Sequence, residues 1–366
     1  MSRNMKNKAP KLSITRINCI IVMLSVVLCC FVSGCGKKEG YVTKQFFAMD
    51  TWMEIQLPES CDDKDLELYF NDVEAIVRKL EACFSVTSTA SDLYKLNNDI
   101  NENVTLDSKE LLDILKEGEY LEDLTDGAFC DKLYVISKEW GFTTGNYKVP
   151  DKAWLDAEIL EIQDIMDDSN TDISVDINES SVIRPVGTCF DLGGIAKGYA
   201  TDKIVDYLAD KGINSAIVNL GGNIYAFGDK QGKEDRFVVG ITDPFDNTLL
   251  GTVMVKDMAV VTSGNYERYF ELDGERYHHI IDSTTGYPAD NGLVSVTIIS
   301  EDASYADGLS TALFVMGLDE AITFWENNRN SFDAILITEN NEIYYTEGLL
   351  DNFVMTEKPY TCKLVK

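Results

Sequence analysis

Asp191-Leu-Gly-Gly-Ile-Ala-Lys-Gly-Tyr-Ala200 is the most informative segment of the chain, because it places two adjacent glycines between an aspartate and a lysine. It runs into Thr201–Asp210, whose apolar spacing predicts an amphipathic helix. Glycines allow a loop to bend and to approach a ligand closely, and the amides at the start of a following helix favour phosphate. The spacing matches neither a Walker A loop nor a Rossmann fingerprint. The segment therefore fits either a phosphate-binding loop or a tight connection without a ligand.

The rest of the chain divides into helical and hairpin patterns. Helical spacing of apolar residues predicts helices over Asp62–Cys83, Ser108–Leu124, Asp126–Trp140, Ala303–Met316 and Asp319–Asn328. Strands or hairpins are predicted over Tyr41–Leu57, Ile173–Ile177 with Ser181–Arg184, Ala216–Leu220, Arg236–Ile241, Leu250–Val255, Tyr266–Leu272 with Glu275–Ile281, Leu293–Ser300, and Phe332–Thr338 with Glu342–Thr346. This mixture predicts an α+β fold with mixed or antiparallel sheets and packed helices, not a doubly wound parallel sheet. No linker or repeat interrupts residues 45–366, so we predict one domain there.

Residues 1–34 have the pattern of an export signal. Five basic residues and no acidic residue precede the apolar run Cys19–Val32, which is too short for a confident membrane span. The run ends in Val32-Ser-Gly-Cys35, which resembles the lipobox of bacterial lipoproteins. We therefore expect lipidation of Cys35, a tether over 35–44, and a body held at the extracytoplasmic face of the cell membrane. An uncleaved N-terminal anchor is the alternative, and it leaves the body on the same side.

Composition excludes several classes of protein. The chain has 32 basic and 62 acidic residues, a formal net charge of −30, and phosphate contacts to nucleic acid need a basic face. Nucleic acid is therefore not an expected partner, although a local site can still bind an anion through amides, a lysine and a divalent cation. The predicted mature body has an odd number of further cysteines and no Cys-x-x-Cys pair, which argues against a zinc or disulfide framework. These cysteines are Cys61, Cys83, Cys130, Cys189 and Cys362.

Two further segments carry side chains suited to chemistry. Asp307 and Thr311 lie four residues apart, so on a helix they share one face and can reach one ion. A carboxylate with a hydroxyl suits Mg²⁺, although Asp307 alone also fits a helix N-cap. The only histidines, His278 and His279, would point to opposite faces of a strand. One can act as a general base or phosphate partner, or both can be structural.

Taken together and in order, short segments of the chain resemble the ApbE family, the FAD:protein FMN transferases of bacterial envelopes. The matching segments are Met49-Asp-Thr51, Phe84-Ser85 with Ser91-Asp-Leu93, Thr125-Asp-Gly-Ala-Phe129, Trp140-Gly-Phe142, Asp191–Ala200, Asn219–Asn223, Thr262-Ser-Gly-Asn-Tyr-Glu-Arg-Tyr-Phe270, His279-Ile-Ile-Asp282, Thr285-Gly-Tyr-Pro288 and Ala306–Ala312. They extend over nearly the whole predicted mature chain. The lipobox also fits, since many members of the family are lipoproteins.

The resemblance implies a T-fold-like α+β architecture and a reaction. FAD would be cut at its pyrophosphate, and FMN would be attached through a phosphoester to a threonine or serine of a partner protein, with release of AMP. The acceptors implied are envelope flavoproteins such as subunits of Rnf-type complexes and of sodium-pumping NADH:quinone oxidoreductases (Nqr).

The resemblance also implies a metal site and a catalytic pair. Asp307 and Thr311 would bind Mg²⁺ together with the backbone carbonyl of Gly194. His279, rather than His278, would contact FAD and assist proton transfer. The expected catalytic residues are therefore His279 and Asp307.

Further contacts with FAD are implied on both sides of this centre. Asp191 and Lys197 would contact FAD, and Lys197 would also offset the charge of the pyrophosphate. The flavin or adenine pocket would be lined by Met49 and by the backbone of Ala128, Phe129 and Cys130.

The chain departs from the family pattern at two positions. Cys130 stands where the family usually has aspartate, and Asp131 follows one residue later. If this segment is helical, a rotation of roughly 100° per residue prevents Asp131 from replacing the missing carboxylate. Asp50 replaces the commoner glycine of Met-Gly-Thr, which is a milder change.

Two other functions remain open at this point. The same site with water as the acceptor would make a Mg²⁺-dependent FAD pyrophosphatase. Alternatively, an acidic lipoprotein of this kind can be a surface binder of flavin or another solute without catalysis. The Asp307–Thr311 pair separates these classes, because a binding protein has no need of a metal at the phosphate.

Overall fold

The computed structural model describes residues 40–167, 174–230 and 236–366; the predicted signal segment, Cys35 and the first residues of the tether lie outside these ranges. The α-helices are α1 (Asp63–Phe84), α2 (Asp92–Asn98), α3 (Lys109–Leu124), α4 (Tyr134–Trp140), α5 (Lys152–Asp167), α6 (Ala196–Asp210), α7 (Ala303–Met316) and α8 (Leu318–Asn327). The strands are β1 (Tyr41–Ala48), β2 (Thr51–Pro58), β3 (Asn103–Thr105), β4 (Ser174–Asp176), β5 (Ser181–Ile183), β6 (Ser215–Leu220), β7 (Asn223–Gly228), β8 (Phe237–Thr242), β9 (Leu249–Val255), β10 (Met258–Gly264), β11 (Tyr269–Leu272), β12 (Glu275–His278), β13 (Leu293–Ser300), β14 (Asp333–Thr338), β15 (Glu342–Thr346), β16 (Phe353–Met355) and β17 (Thr361–Val365).

Nine strands form one mixed sheet in the order β1-β2-β6-β7-β10-β13-β14-β15-β17. The pairs are antiparallel except for β15 with β17, which run parallel. A second sheet has the order β16-β9-β8, and two smaller sheets contain β3-β5-β4 and β11-β12. Helices and largely antiparallel sheets in one chain confirm the predicted α+β class.

The nine-stranded sheet is covered on both faces, as the alternation of side chains along β14 shows. Ala334 and Leu336 join the large apolar cluster formed with the helices, whereas Ile335 and Ile337 join a cluster formed with β8, β9 and β16. Successive strand residues point to opposite faces, so this division places helices on one side of the sheet and the three-stranded sheet on the other. A third cluster surrounds Trp140 and joins α4, α5 and the β11–β12 hairpin.

Most predicted elements are present, and the predicted bounds Ala303–Met316 coincide with α7. The helix predicted over Asp126–Trp140 is wrong in its first half, because Asp126 and Gly127 have φ angles of 52° and 78°, which an α-helix does not accept. Helix α6 begins earlier than the predicted start at Thr201, at Ala196. Helices α2 and α5 were not predicted. Within the described ranges, no helix combines the length and apolar character needed to cross a bilayer.

Register brings several turns to one end of the nine-stranded sheet. Met53 pairs with Leu220, and Leu220 pairs with Asn223, so the β1–β2 turn and the β6–β7 turn lie side by side. Ile224 pairs with Val260, which places the last residues of β10 at the same level. We call this region the turn end of the sheet.

Candidate active site

Helices α6 and α7 meet next to the turn end of the sheet. Helix α7 packs on β10 and β13 and lies against α6, which follows the glycine-rich loop. Gly198 permits this close approach, since a Cβ atom there would lie 2.7 Å from the carbonyl carbon of Ala303 and 2.7 Å from the Cα of Ser304. The carboxylate of Asp202 strengthens the contact by accepting the amides of Ala303 and Ser304 at 2.9 and 2.8 Å. The two segments that the sequence singled out are therefore adjacent in space.

Asp307 connects the two helices directly. The residue is only 3 % exposed, and its Oδ2 accepts the backbone amide of Gly198 at 2.8 Å. The Nζ of Lys197 lies 3.4 Å from Oδ1. Because 3.4 Å is long for a charge-assisted hydrogen bond, Oδ1 retains capacity for another partner. The N-cap role considered for Asp307 is absent, since Asp302 caps α7 by accepting the amide of Tyr305.

Gly194 lies between α7 and the Phe129 segment. A Cβ atom at Gly194 would lie 3.3 Å from Cε2 of Phe129 and 3.7 Å from Oγ1 of Thr311. The Asp191 amide donates to the carbonyl of Asp131 at 2.7 Å, which joins the glycine-rich loop to the residues that follow Phe129. The structure thus brings Phe129, Gly194 and Thr311 together.

The segment containing Ala128, Phe129 and Cys130 has a fixed, non-helical shape. The hydroxyl of Thr125 accepts the Phe129 amide at 3.0 Å and donates to the carbonyl of Leu121 at 2.7 Å. This tight turn follows directly after α3 and holds the segment against the glycine-rich loop. Since the backbone is not helical, the predicted 100° rotation between Cys130 and its neighbour Asp131 is not the relevant geometry.

Asp131 instead belongs to a buried ion-pair cluster. Lys132, itself buried, lies 3.2 Å from Asp131 and 2.6 Å from Glu122. Cys130 faces elsewhere, with its sulfur 4.0 Å from that of Met166, and burial followed by the charge of Glu122 raises the pKa of its thiol. The carboxylate of Asp131 is thus engaged in structural pairing, and Cys130 is a neutral thiol.

Asp191 stabilises its own loop. Its Oδ1 accepts the amide of Gly193 at 2.9 Å, which closes a tight turn at the start of the glycine-rich loop. Burial raises the pKa of this carboxyl group, whereas the Gly193 amide and the nearby Arg268 lower it. Asp191 therefore shapes the loop in addition to any contact with a ligand.

The two histidines have different environments. His278 is buried; its Nε2 donates to the carbonyl of Ala289 at 3.0 Å, its Nδ1 accepts the amide of Ile280 at 3.3 Å, and its ring packs edge-on against Phe314. Both ring nitrogens are used, so His278 is structural. Burial lowers its pKa.

His279 is partly exposed and has one free ring nitrogen. Its Nδ1 lies 3.2 Å from the carbonyl of Arg268, and because a carbonyl can only accept, Nδ1 carries the proton. No residue of the described ranges is hydrogen-bonded to Nε2, which therefore presents a lone pair. Burial, then Arg268, His278 and Lys197, lower the pKa of His279 to about 3. The ring is consequently neutral near pH 7.

Two charged residues near His279 were assigned no role from the sequence. Arg268 donates to the carbonyl of Phe142 at 3.0 Å, and its own carbonyl accepts both the amide and the ring of His279. Desolvation raises the pKa of Glu267 to about 7. The positive charge of Lys197 opposes this rise, and the negative charge of Asp307 adds to it. Their position within Thr262–Phe270, one of the segments that resemble the family, was the signal available in the sequence.

Met49 lies at the turn end of the sheet, in the β1–β2 turn. Met49 and Asp50 have φ angles of 47° and 58°, and the amide of Met49 donates to Oε1 of Glu81 at 2.7 Å. Aspartate tolerates this left-handed conformation better than most residues, which explains physically how Asp50 replaces a glycine. No hydrogen bond in the described ranges links Met49 to Asp191, Lys197 or His279.

Oxygen donors dominate the centre of the site. The Asp307 carboxylate, the Thr311 hydroxyl and the Gly194 carbonyl belong to residues that are adjacent in space, and no cluster of three or more His, Cys, Asp or Glu side chains in the described ranges is arranged for a metal. Two hydroxyls missed at the sequence level complete the group, since Ser263 lies 2.7 Å from Ser310 and 3.4 Å from Thr311. A single carboxylate with neutral oxygens suits Mg²⁺, which keeps water or phosphate oxygens among its ligands.

Comparison with known proteins identifies a family and several relatives. The model of the ApbE family matches residues 49–336. A protein of Klebsiella pneumoniae named FAD:protein FMN transferase is 32% identical over 76% of this chain and 86% of its own length. A protein of the same name from Treponema pallidum is 29% identical over 91% of this chain and 96% of its own length.

Solved structures show the same architecture. The crystal structure of the ApbE protein of Thermotoga maritima aligns with a TM-score of 0.74 and 34% identity, over 84% of this chain and 97% of that one. The flavin transferase ApbE of Vibrio cholerae aligns with a TM-score of 0.70 and 26% identity, over 86% of this chain and 99% of that one. The architecture expected from the sequence resemblance is therefore confirmed.

Proposed function

The chain belongs to the ApbE family, and we propose that it transfers FMN from FAD to a threonine or serine hydroxyl of an acceptor protein, with release of AMP. The observation that carries this proposal is the meeting of Asp307, Thr311 and the glycine-rich loop at one point, within a family match that covers most of the chain. The protein is a transferase.

The reaction breaks the phosphoanhydride bond of FAD and forms a phosphoester bond to the acceptor. The acceptor oxygen forms a bond with the phosphorus of the FMN half of FAD, the bond from that phosphorus to the bridging oxygen breaks, and AMP leaves with that oxygen. The hydroxyl proton must depart, and negative charge develops on the leaving AMP phosphate. The protein therefore needs positioning groups, a proton acceptor and positive charge near the bridging oxygen.

We propose that Asp307, Thr311 and the carbonyl of Gly194 hold Mg²⁺. The donor chemistry supports this assignment, because all three groups offer oxygen and only one of them is charged. Asp307 keeps one oxygen fixed by the Gly198 amide, and among the described residues the other is hydrogen-bonded only to Lys197, at 3.4 Å. When bound, the cation would neutralise charge on the pyrophosphate and its transition state.

Lys197 and His279 supply the remaining charge and the proton acceptor in this proposal. Lys197 stands in the first turn of α6 beside Asp307, where it can offset the charge of the leaving phosphate. His279 carries its proton on Nδ1, so the lone pair of Nε2 can accept a hydrogen bond from the acceptor's hydroxyl and assist removal of its proton. Its Nδ1 contact with Arg268 keeps the ring oriented for this role.

The FAD-binding surface is proposed from residues that surround this centre. Asp191 shapes the glycine-rich loop and would contact FAD there. Phe129 packs against Gly194, so it and the backbone of Ala128 and Cys130 would line one wall. Met49 would contribute from the turn end of the sheet.

We further propose that the protein is lipidated on Cys35 and acts at the extracytoplasmic face of the cell membrane on Rnf-type, Nqr-type or other FMN-carrying envelope proteins. The lipobox and the basic, then apolar, residues before it support this location. A Cys35→Ser variant should lose membrane association in cell fractionation while the wild-type chain remains in the membrane fraction.

The transfer reaction is tested by co-expressing the full chain with an envelope flavoprotein that carries a covalent FMN. Intact mass of the acceptor should rise by one FMN residue, and its flavin fluorescence should survive denaturation. Asp307→Asn should abolish the modification, whereas Asp319→Asn, at an exposed carboxylate in the first turn of α8, should not. Free FMN and AMP without labelled acceptor would indicate an FAD pyrophosphatase instead. Flavin binding with no AMP from any acceptor would indicate a binding protein.

A further inference from the structure

Three hydroxyl groups form a chain between β10 and α7. Ser310, which is fully buried, donates to the backbone carbonyl of Asp307 at 2.8 Å. The Oγ of Ser263 lies 2.7 Å from that of Ser310, and 3.4 Å from Oγ1 of Thr311. Ser263 faces the helices because it shares strand parity with Ala259 and Val261, which belong to the helical cluster.

The carbonyl at the end of this chain determines the direction of every proton in it. A carbonyl oxygen can only accept, so Ser310 must use its single proton there. The short contact between Ser310 and Ser263 then requires Ser263 to donate. With its proton committed, Ser263 can only accept at its remaining contact, so the long 3.4 Å contact with Thr311 is a hydrogen bond only when Thr311 donates. The Thr311 proton therefore points toward β10.

This polarity leaves the lone pairs of Thr311 available to other partners, and Gly194 lies next to the same oxygen. A hydroxyl binds a cation through a lone pair, and a proton turned toward the cation would repel it. We propose that Ser263 and Ser310 are positioning residues that orient the hydroxyl of Thr311 so that it presents a lone pair to the cation. This inference rests on the Mg²⁺ site of the proposed function and extends it to two residues that do not touch the ion.

Outer hydrogen bonds of this kind commonly change metal affinity about 10–100-fold when they are lost. Ser263→Ala removes the acceptor for the Thr311 proton and leaves Thr311 free to rotate. Ser310→Ala frees the Ser263 proton, so that Ser263 can donate to Thr311 and reverse its orientation. Both variants should weaken cation binding without removing any of its ligands.

The adjacent residue on β10 provides a matched control. Thr262 points to the opposite face of the sheet, where its hydroxyl lies 2.8 Å from that of Thr297. Thr262→Ala therefore removes a hydroxyl–hydroxyl hydrogen bond of the same length from the same strand, away from Thr311. A general loss of packing or of strand order would affect this variant equally.

The experiment measures cation binding by the full-length protein in detergent with saturating FAD and no acceptor. The probes are two cations. Binding of Mg²⁺ is measured by the rise in Tm, and binding of Mn²⁺ is measured by electron paramagnetic resonance. We expect Ser263→Ala and Ser310→Ala to raise the apparent Kd for the cation about tenfold or more. Thr262→Ala should stay within about twofold, and Ser263→Thr, which keeps the hydroxyl, should largely restore binding. Flavin transfer by Ser263→Ala should recover most of its rate at high Mg²⁺.

A double-mutant cycle tests whether the serines act through Thr311. In a Thr311→Val background, Ser263→Ala should have no additional effect on the apparent Kd. Wild-type affinity in Ser263→Ala, or equal weakening in Thr262→Ala, would overturn the positioning role. Flavin transfer by the wild-type chain without a divalent cation would also overturn the positioning role, but it would leave the proposed transfer of FMN intact. A wild-type chain that binds Mg²⁺ with these serine effects but never releases AMP would instead refute the proposed function alone.

Discussion

Replacing Gly198 with alanine should separate α6 from α7 and weaken both the fold and the active site. The new Cβ would lie 2.7 Å from two backbone atoms of Ala303 and Ser304, and nearer still to the Ala303 carbonyl oxygen. Carbon atoms in contact normally lie about 3.5–4.0 Å apart, so the helices must move by roughly 1 Å. No side-chain rotation can relieve a clash between backbone atoms.

The expected cost combines three effects. Overpacking of this kind costs about 1–3 kcal/mol. Stretching the hydrogen bond from the Gly198 amide to the Asp307 carboxylate costs about 1.5–3 kcal/mol, since one partner is charged. The higher helix propensity of alanine returns about 1 kcal/mol. We therefore expect the free energy of unfolding to fall by about 3 kcal/mol and Tm to fall by about 5–10 °C.

Circular dichroism would monitor urea and thermal denaturation of the variant. A second assay would measure how its flavin transfer depends on Mg²⁺ concentration. Gly193→Ala is the matched control from the same loop, because a Cβ there would meet only the Asp191 side chain, at 3.1 Å. If Gly198→Ala is as stable as the wild-type chain, or if Gly193→Ala loses as much stability, the packing argument is wrong.

Three further predictions concern charge. The imidazole of His279, whose pKa burial lowers to about 3, should stay neutral with its proton on Nδ1 between pH 5 and 8 in ¹⁵N NMR spectra, and titration near pH 6.5 would contradict this. Burial raises the pKa of Asp202 to about 7, above its unfolded value of about 3.9, so this group's contribution to stability falls as pH rises between these values. Asp202→Ala should therefore lower the free energy of unfolding, measured by urea denaturation, by about 1–2 kcal/mol at pH 5, because the amides of Ala303 and Ser304 lose their acceptor. The loss should be smaller at pH 8, and an equal loss at both pH values would refute the linkage. Lys197→Met should slow AMP release on the order of 10²-fold, whereas Lys203→Met, at a lysine that lies over the ring of Tyr199, should not.

Local patterns were sufficient for most secondary structure. The predicted bounds of α7 are correct because its apolar residues recur at helical spacing and Asp302 supplies an N-cap. The β11–β12 hairpin was predicted from Asp273-Gly274, and both residues have the positive φ that a tight hairpin turn requires. In these cases the forces that decide the structure act between neighbours in the sequence.

The errors occurred where tertiary contacts override local preference. Gly198 disfavours a helix by its intrinsic propensity, so the sequence suggested that the loop continues to Ala200. Packing of α6 against α7 reverses this preference, because only glycine allows the backbones to approach so closely. The segment after Asp126 shows the opposite case, since apolar spacing suggested a helix that the left-handed Asp126 and Gly127 exclude.

Motifs and periodicity are local properties of a chain, and they were enough to predict the α+β class, the family and the residue types available for chemistry. Which of these residues meet depends on how distant parts of the chain pack together. Gly198 and Asp307 lie 109 positions apart in the chain, yet they share a hydrogen bond of 2.8 Å. Such proximity follows from the packing of α6 on α7 and from the sheet register, and neither is encoded in the spacing of any one motif. The same packing distinguishes His278, whose two ring nitrogens are both hydrogen-bonded, from His279, whose Nε2 has no hydrogen-bond partner among the residues that the structure describes.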